Sequence, residues 1–156
     1  MKKYLFCLVL IFSLSITSYA QNMDQLFQKI SKIENVDQVK VGRFLMSLGK
    51  QFGGVGDIPL ARGVHSIEIL DLSSCKPSAK QDLSKYVAEL KDGGGYETWL
   101  QVNDKKNAVR IMAKKKNDII QDLVILCNDE ASPTIIRLSG KMKENDLAEL
   151  ANKYNK

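Results

Sequence analysis

From Tyr96 onward apolar residues recur at every second position, and the pattern persists through four segments, 96–102, 107–115, 119–127 and 133–140. A period of two sends successive side chains to opposite faces of an extended chain, so each segment predicts a strand. The polar breaks between them are short: Asn103-Asp104-Lys105-Lys106-Asn107, Asn117-Asp118 and Asn128 to Pro133. Breaks of this length and composition turn a chain back on itself, which predicts a four-stranded antiparallel meander. Ile119 to Cys127 is almost continuously apolar around Gln121 and Asp122, as an interior strand would be.

Before Tyr96 the period is mostly helical. Met23, Leu26, Phe27, Ile30 and Ile33 make one stripe, with Asp24 in its first turn; Phe44, Leu45, Leu48 and Phe52 make a second that stops at Gly53-Gly54. A third stripe, Ala79, Leu83, Tyr86, Val87 and Leu90, opens near Pro77-Ser78 with Ser78 and Gln81 as a capping box, and Lys91 with glycines 93–95 closes it. Val39 with Val41 and the stretch His65 to Leu72 predict strands, residues 53–63 a loop able to cover a site, and Leu147, Leu150, Ala151 and Tyr154 a last helix. The expected fold class is α+β in two layers: a mixed, mostly antiparallel sheet with its helices packed on one face.

The first twenty residues follow other rules. Lys2 and Lys3 precede an apolar run from Tyr4 to Ile16, and Ser18-Tyr19-Ala20 is a small-x-small sequence, the pattern of a secretory signal cleaved near Ala20-Gln21. The run is shorter than the roughly 20 residues needed to span a bilayer. Export to the periplasm or beyond is therefore expected, with residues 21–156 forming one domain and no membrane span after cleavage. Cleavage removes two lysines and no acid, lowering the net charge from +5 to +3. So mild a balance gives no ground for a nucleic-acid partner. Cys7 also leaves, so Cys75 and Cys127 remain in an oxidising compartment, either as a disulfide or as two separate buried thiols.

Several passages together resemble a known family: the opening Phe/Leu helix, Ser-Ile-Glu-Ile-Leu at 66–70, Lys-Lys-Lys-Asn-Asp-Ile-Ile at 114–120, and Ile-Arg-Leu-Ser-Gly-Lys at 136–141 ahead of Asp146-Leu147. They are similar to the domain of unknown function 4252 family. The resemblance spans nearly all of the chain after the signal and carries no catalytic residues. It implies a small exported protein of Gram-negative bacteria, and the proximity of some members' genes to alternative sigma factors implies envelope signalling.

Chemistry-bearing motifs are sparse. His65 is the only histidine, and one His with two distant Cys lacks the spacing of a zinc site, so no metal or cofactor is expected. Ser139-Gly140-Lys141 lacks the upstream glycine of a phosphate loop, and Gly53-Gly54-Val55-Gly56 does not open a helix after a strand. Asp118, Asp122, Asp129 and Glu130 miss the calcium-loop spacing and suit solvated turns.

Strict alternation does yield one constellation. With Thr98, Leu100, Val102, Val109, Ile111, Ala113, Ile136 and Leu138 facing the helices, the uncovered face carries Trp99, Arg110, Met112, Lys114 and Arg137. A Trp among arginines has the composition of an interface, although long cationic stems also merely cover the back of a sheet. The leading expectation is a non-enzymatic binding module for an unidentified envelope protein or peptide. The alternatives are a small hydrolase using His65 with Asp57 or Glu68 near the 53–63 loop, and a carrier of a small apolar ligand.

Overall fold

The computed structural model describes residues 23–43, 46–47, 59–104 and 106–154. In chain order the elements are α1 (Met23–Ser31), β1 (Asp37–Val41), α2 (Pro59–Gly63), β2 (Val64–Asp71), α3 (Pro77–Glu89), β3 (Tyr96–Asn103), β4 (Asn107–Lys116), β5 (Ile119–Asp129), β6 (Thr134–Lys143) and α4 (Glu144–Tyr154). Phe44, Leu45, Leu48 and Phe52 of the second helical stripe and residues 53–58 of the expected loop lie outside the described residues; Met46, which is described, is buried. Residues 59–63, expected as loop, form α2, whose Leu60 is buried. Pro59 supplies the fixed φ that suits a first helical position.

The strands form one open sheet in the order β1-β2-β6-β5-β4-β3. The last four strands are neighbours in sequence order, as the hairpin breaks predict, and β6 also pairs with β2. All five pairings are antiparallel, which corrects the expectation of a mixed sheet. Asn117, at φ 56, occupies the left-handed conformation that a tight turn between β4 and β5 requires and that asparagine tolerates.

Apolar burial occurs on both sides of the sheet. Met23, Leu26, Phe27 and Ile30 of α1 and Leu83 and Val87 of α3 pack with Leu70, Met112, Val124, Leu126 and Ile135. Leu60 of α2, Met46 and, more peripherally, Leu147 of α4 pack with Val64, Ala113, Ile120, Leu123 and Met142. Met112 and Ala113 are adjacent in β4, and Leu123 and Val124 in β5, yet all four are buried. Central strands that are apolar on both sides need cover on both sides, so the expectation of helices on one face is corrected.

α2 is held against β6 by a close backbone approach. A Cβ at Gly140 would lie 2.1 Å from the Gly63 carbonyl oxygen, and one at Gly63 would lie 2.5 Å from that of Lys141. Gly140, which sequence placed in a failed phosphate loop, is required by this contact.

The end of α3 differs from expectation. Its N-cap is Lys76, which makes no side-chain cap hydrogen bond, so the Ser78/Gln81 box is not formed; Pro77 alone marks the start. The helix stops at Glu89 and the glycines come later: Gly94 and Gly95, at φ 60 and 88, form a tight turn in which Gly93 and Tyr96 exchange backbone hydrogen bonds of 3.0 Å. The last carbonyls of the helix are met by the guanidinium of Arg110, which donates to Leu90 O and, at 3.4 Å, to Val87 O. A buried cation satisfies both the hydrogen-bonding need and the dipole of the helix end.

Candidate functional site

The pairing registers align residues in rows across the sheet. One row reads Thr98, Met112, Val124, Arg137, Glu68, Lys40, and the next on the same face Gln101, Arg110, Leu126, Ile135, Leu70, Gln38. This face holds the residues buried beneath α1 and α3. The intervening row, on the opposite face, reads Leu100, Ile111, Ile125, Ile136, Ile69, Val39, aliphatic from one edge of the sheet to the other. Its ends are open: Val39 is 51% exposed and Leu100 48%, with Val102 beyond at 50%.

The alternation expected from sequence therefore groups most residues correctly but leaves exposed the group that packs beneath α1 and α3. Arg110 and Met112, expected to be exposed, are 7% and 1% exposed. Arg137 and Lys114 are both partly covered, with the Arg137 side chain 17% exposed. The reason is that both arginines find carboxylate, hydroxyl or carbonyl partners within the protein. Besides capping α3, Arg110 donates from Nε and Nη2 to Thr98 Oγ1 at 3.1 and 2.8 Å and lies 3.6 Å from Asp92.

Trp99 is separated from the other four. The register slips between Thr98 and Leu100, leaving Trp99 in a bulge. Its ring packs against the cluster around Leu60 and Ala113 on the opposite side, and its Nε1 donates to Glu97 Oε1 at 2.9 Å. The same slip turns Leu100 and Val102 away from α1 and α3. The expected face of Trp99, Arg110, Met112, Lys114 and Arg137 does not exist as one surface.

Arg137 centres a polar network at the margin of α1. It reaches Asp24 at 2.5 Å and Asp122 at 3.0 Å, and its guanidinium lies 5.5 Å from the centroid of the Phe27 ring. Tyr96 donates to Asp122 at 2.7 Å. Burial pushes the Asp122 carboxyl up, but hydrogen bonds from Ser139, Arg137 and Tyr96 outweigh it and hold the group below the ordinary carboxylate range. Burial, then the hydrogen bond to Asp122, raises the Tyr96 phenol far above its usual value. Neither group is poised for proton transfer near neutrality. Among the described residues, Arg137 Nε is buried without a hydrogen-bond partner. Sequence placed Asp122 within an interior strand yet read its carboxylate with the acids of solvated turns, because nothing local discloses that register sets it beside Ser139 and near Arg137.

Arg137 also borders a cleft of about 390 Å3 whose other walls are Lys40, Val41, Gly42, Ser66, Ile67, Glu68 and Ser139. A larger cleft, of about 560 Å3, lies between the start of α3 and the β3–β4 and β5–β6 turns and includes Lys80, Asp104, Asp129 and Glu130. Lys80 is already engaged there, donating to Ser73 O and Ala131 O. Among the described residues no cluster of His, Cys, Asp or Glu could hold a metal ion, and no helix is long and apolar enough to cross a membrane.

Of the residues considered for hydrolysis, Asp57 lies outside the described set, His65 falls at a register slip early in β2, and Glu68 bridges Gln38 at 2.8 Å and Lys40 at 3.4 Å. Cys75 and Cys127 are both free. Cys75 is in the core beneath α1 and α3, whereas Cys127 shares the face of Leu123 and Ile125, so the sheet separates them and the disulfide alternative is not realised. Burial raises both thiols above their ordinary value, as expected of inert, weakly acidic sulfurs.

Fold and surface together define a small α+β domain built on an open antiparallel sheet, with a polar network at one helix margin and an aliphatic row across the other face. The family model described as a domain of unknown function, DUF4252, matches residues 27–150, and the chain belongs to this family. Comparison with curated proteins and with solved structures finds no match.

Proposed function

We propose that the chain is a non-enzymatic, exported binding module that takes an extended aliphatic segment of an envelope protein alongside β3. The observation that carries this reading is the exposed pair Leu100 and Val102 on edge strand β3, where the aliphatic row across the sheet ends. Contiguous exposed apolar surface marks interaction sites.

The two edges are unequal. β1 is five residues long and carries Lys40, a charge that discourages strand addition. β3 is longer, and its two halves differ. In the first, the Thr98 N–H is taken by Asp92 Oδ1 at 3.0 Å and Trp99 bulges; in the second, Leu100 and Val102 project side by side from an edge that pairs only with β4. An added strand would meet the outward backbone groups and cover both side chains, the usual mode of β-augmentation. The signal-like first twenty residues support delivery to the envelope, and a partner there would suit a signalling role.

The test is a photo-crosslinking amino acid placed at Gln101 or, as a control, at Lys40 in the exported protein. Crosslinks to one envelope protein are expected from position 101 and not from position 40, and the double substitution Leu100→Lys, Val102→Lys should remove them. Equal crosslinking from both edges, or capture that survives the double substitution, refutes the reading. Mass spectrometry of the exported form should find Gln21 as the first residue.

A further inference from the structure

We infer that one end of the sheet docks peripherally on an anionic phospholipid surface through Lys114, Lys116, Lys141 and Lys143. The registers place these four side chains together. Lys114 lies opposite Asp122 on the face that α1 and α3 cover, and Lys116, Ile119 and Lys143 form a row further along the same face. Lys141 alternates with Met142, which is buried in the cluster with Leu60 of α2, so Lys141 also projects to the α1/α3 face. Helix cover has ended here, for Lys116, Lys141 and Lys143 are exposed and Lys114 is half-buried. Lysines two apart on one strand stand about 7 Å from each other, and β4 and β6 run about 10 Å apart across β5, so the four mark the corners of a small rectangle.

No ion pair offsets these charges. Among the described residues, none of the four ammonium groups lies within ion-pairing distance of a carboxylate. Asp122 is committed to Arg137 at 3.0 Å, and Glu144 meets Lys115 at 3.1 Å on the opposite face, where Ile120 and Met142 share its row. Lys114 is held in place, its stem passing close to Gly95 and its ammonium 5.8 Å from the centroid of the Tyr96 ring, but it keeps its charge. Residues 21–156 carry a net charge of +3, so these four lysines account for more than the whole of it and the rest of that stretch is net acidic. Charges spaced within about a Debye length, roughly 10 Å at 0.1 M salt, attract an anionic surface as a group.

Shape and residue type select a bilayer over an acidic peptide. β3 begins opposite Lys114 and β2 opposite Gly140, so β4, β5 and β6 run on past their neighbours as a three-stranded tongue bearing Lys116, Ile119, Lys141 and Lys143. A projecting tongue meets a flat surface more readily than it encloses a peptide, and none of the four lysines lines either cleft described above. All four are lysines, point charges on flexible stems that meet phosphate oxygens from many directions, whereas arginine supplies the planar fork that fixes a carboxylate. Ile119 is partly exposed between Lys116 and Lys143, and peripheral binding draws on apolar area as well as on attraction to anionic lipid. Leu100 and Val102 lie on the opposite face, toward the other end of β3, so this contact leaves the docking edge uncovered.

The experiment is flotation of the exported protein with vesicles of phosphatidylcholine alone and of phosphatidylcholine with about one-third phosphatidylglycerol, at about 50 and about 300 mM salt. Binding is expected to the anionic vesicles at low salt, with loss at high salt and none to the neutral vesicles. Lys116→Gln with Lys143→Gln should weaken it about thirtyfold at an unchanged melting temperature, roughly fivefold for each lysine near the surface. Lys32→Gln with Lys106→Gln removes the same charge just after α1 and at the β3–β4 turn, and should weaken binding less than about threefold. No flotation, equal flotation with neutral vesicles, or equal losses in the two double variants would overturn the inference. So would binding of poly-glutamate or of glycerol 3-phosphate as tight as that of vesicles, which would assign the lysines to an acidic peptide or to a single phosphate. Crosslinks from position 101 should survive Lys116→Gln with Lys143→Gln, so failure of this surface and failure of the β3 docking reading are separately visible.

Discussion

Met112 in β4 and Leu100 in β3 sit in adjacent rows of the same sheet, yet one is 1% exposed and the other 48%. The difference lies in what covers each face. Above Met112, α1 and α3 bring apolar stripes, and the charges beneath them are met internally, Arg110 by the end of α3 and Arg137 by Asp24 and Asp122. Beside Leu100 the row is aliphatic and its edges are open. A charge on a strand is therefore poor evidence of an outer face when a helix end or a carboxylate lies within its reach. An aliphatic row is equally poor evidence of an inner one.

The comparison can be tested by substitution. Met112→Ala should destabilise the fold by roughly 3–4 kcal/mol, because a well-packed side chain leaves a cavity that its neighbours fill only partly; the urea midpoint measures it. Gly140→Ala should cost about 3 kcal/mol by driving a methyl group into the Gly63 carbonyl, and it tests whether the closed end of the opposite face depends on that approach. Arg110→Met preserves apolar volume but leaves the Leu90 and Val87 carbonyls unmet, with an expected loss of about 2 kcal/mol and faster amide exchange in the last turn of α3.

Acid should act on the α1/α3 face first. Asp122 is held below its ordinary value in the folded state, so its contribution is complete above the unfolded value, near 3.9, and is lost as pH falls through the folded value. Stability should fall below about pH 4, and Asp122→Asn should flatten that part of the profile. Smallest of all, Leu100→Lys should change stability by no more than about 0.5 kcal/mol while removing crosslinks from position 101. A large loss would mean that the open face belongs to the core.

Sequence made the strands and terminal helices readable because the signals are local. The four C-terminal strands begin within one residue of their predicted starts, and Asn117-Asp118 makes its turn. The Ser78/Gln81 box was misread because a capping motif is only a permission, and here Pro77 suffices with Lys76 at the N-cap. Glycines 93–95 were misread because the residue that caps α3, Arg110, is 20 positions away from the carbonyl it meets. The five-residue face failed at Trp99, since one bulge puts Thr98 and Gln101, and not Trp99, on the face of Arg110 and Met112. The Arg137 network and its cleft were invisible for the same reason of distance: Asp24 and Arg137 are 113 positions apart.

The sequence by itself determined the period of each segment, the turns, family membership and the partition of most strand residues into two sets, all properties of neighbouring residues. Only the tertiary structure decided which set lies beneath α1 and α3, because that depends on where the helices dock and on whether each arginine finds a partner within hydrogen-bonding distance.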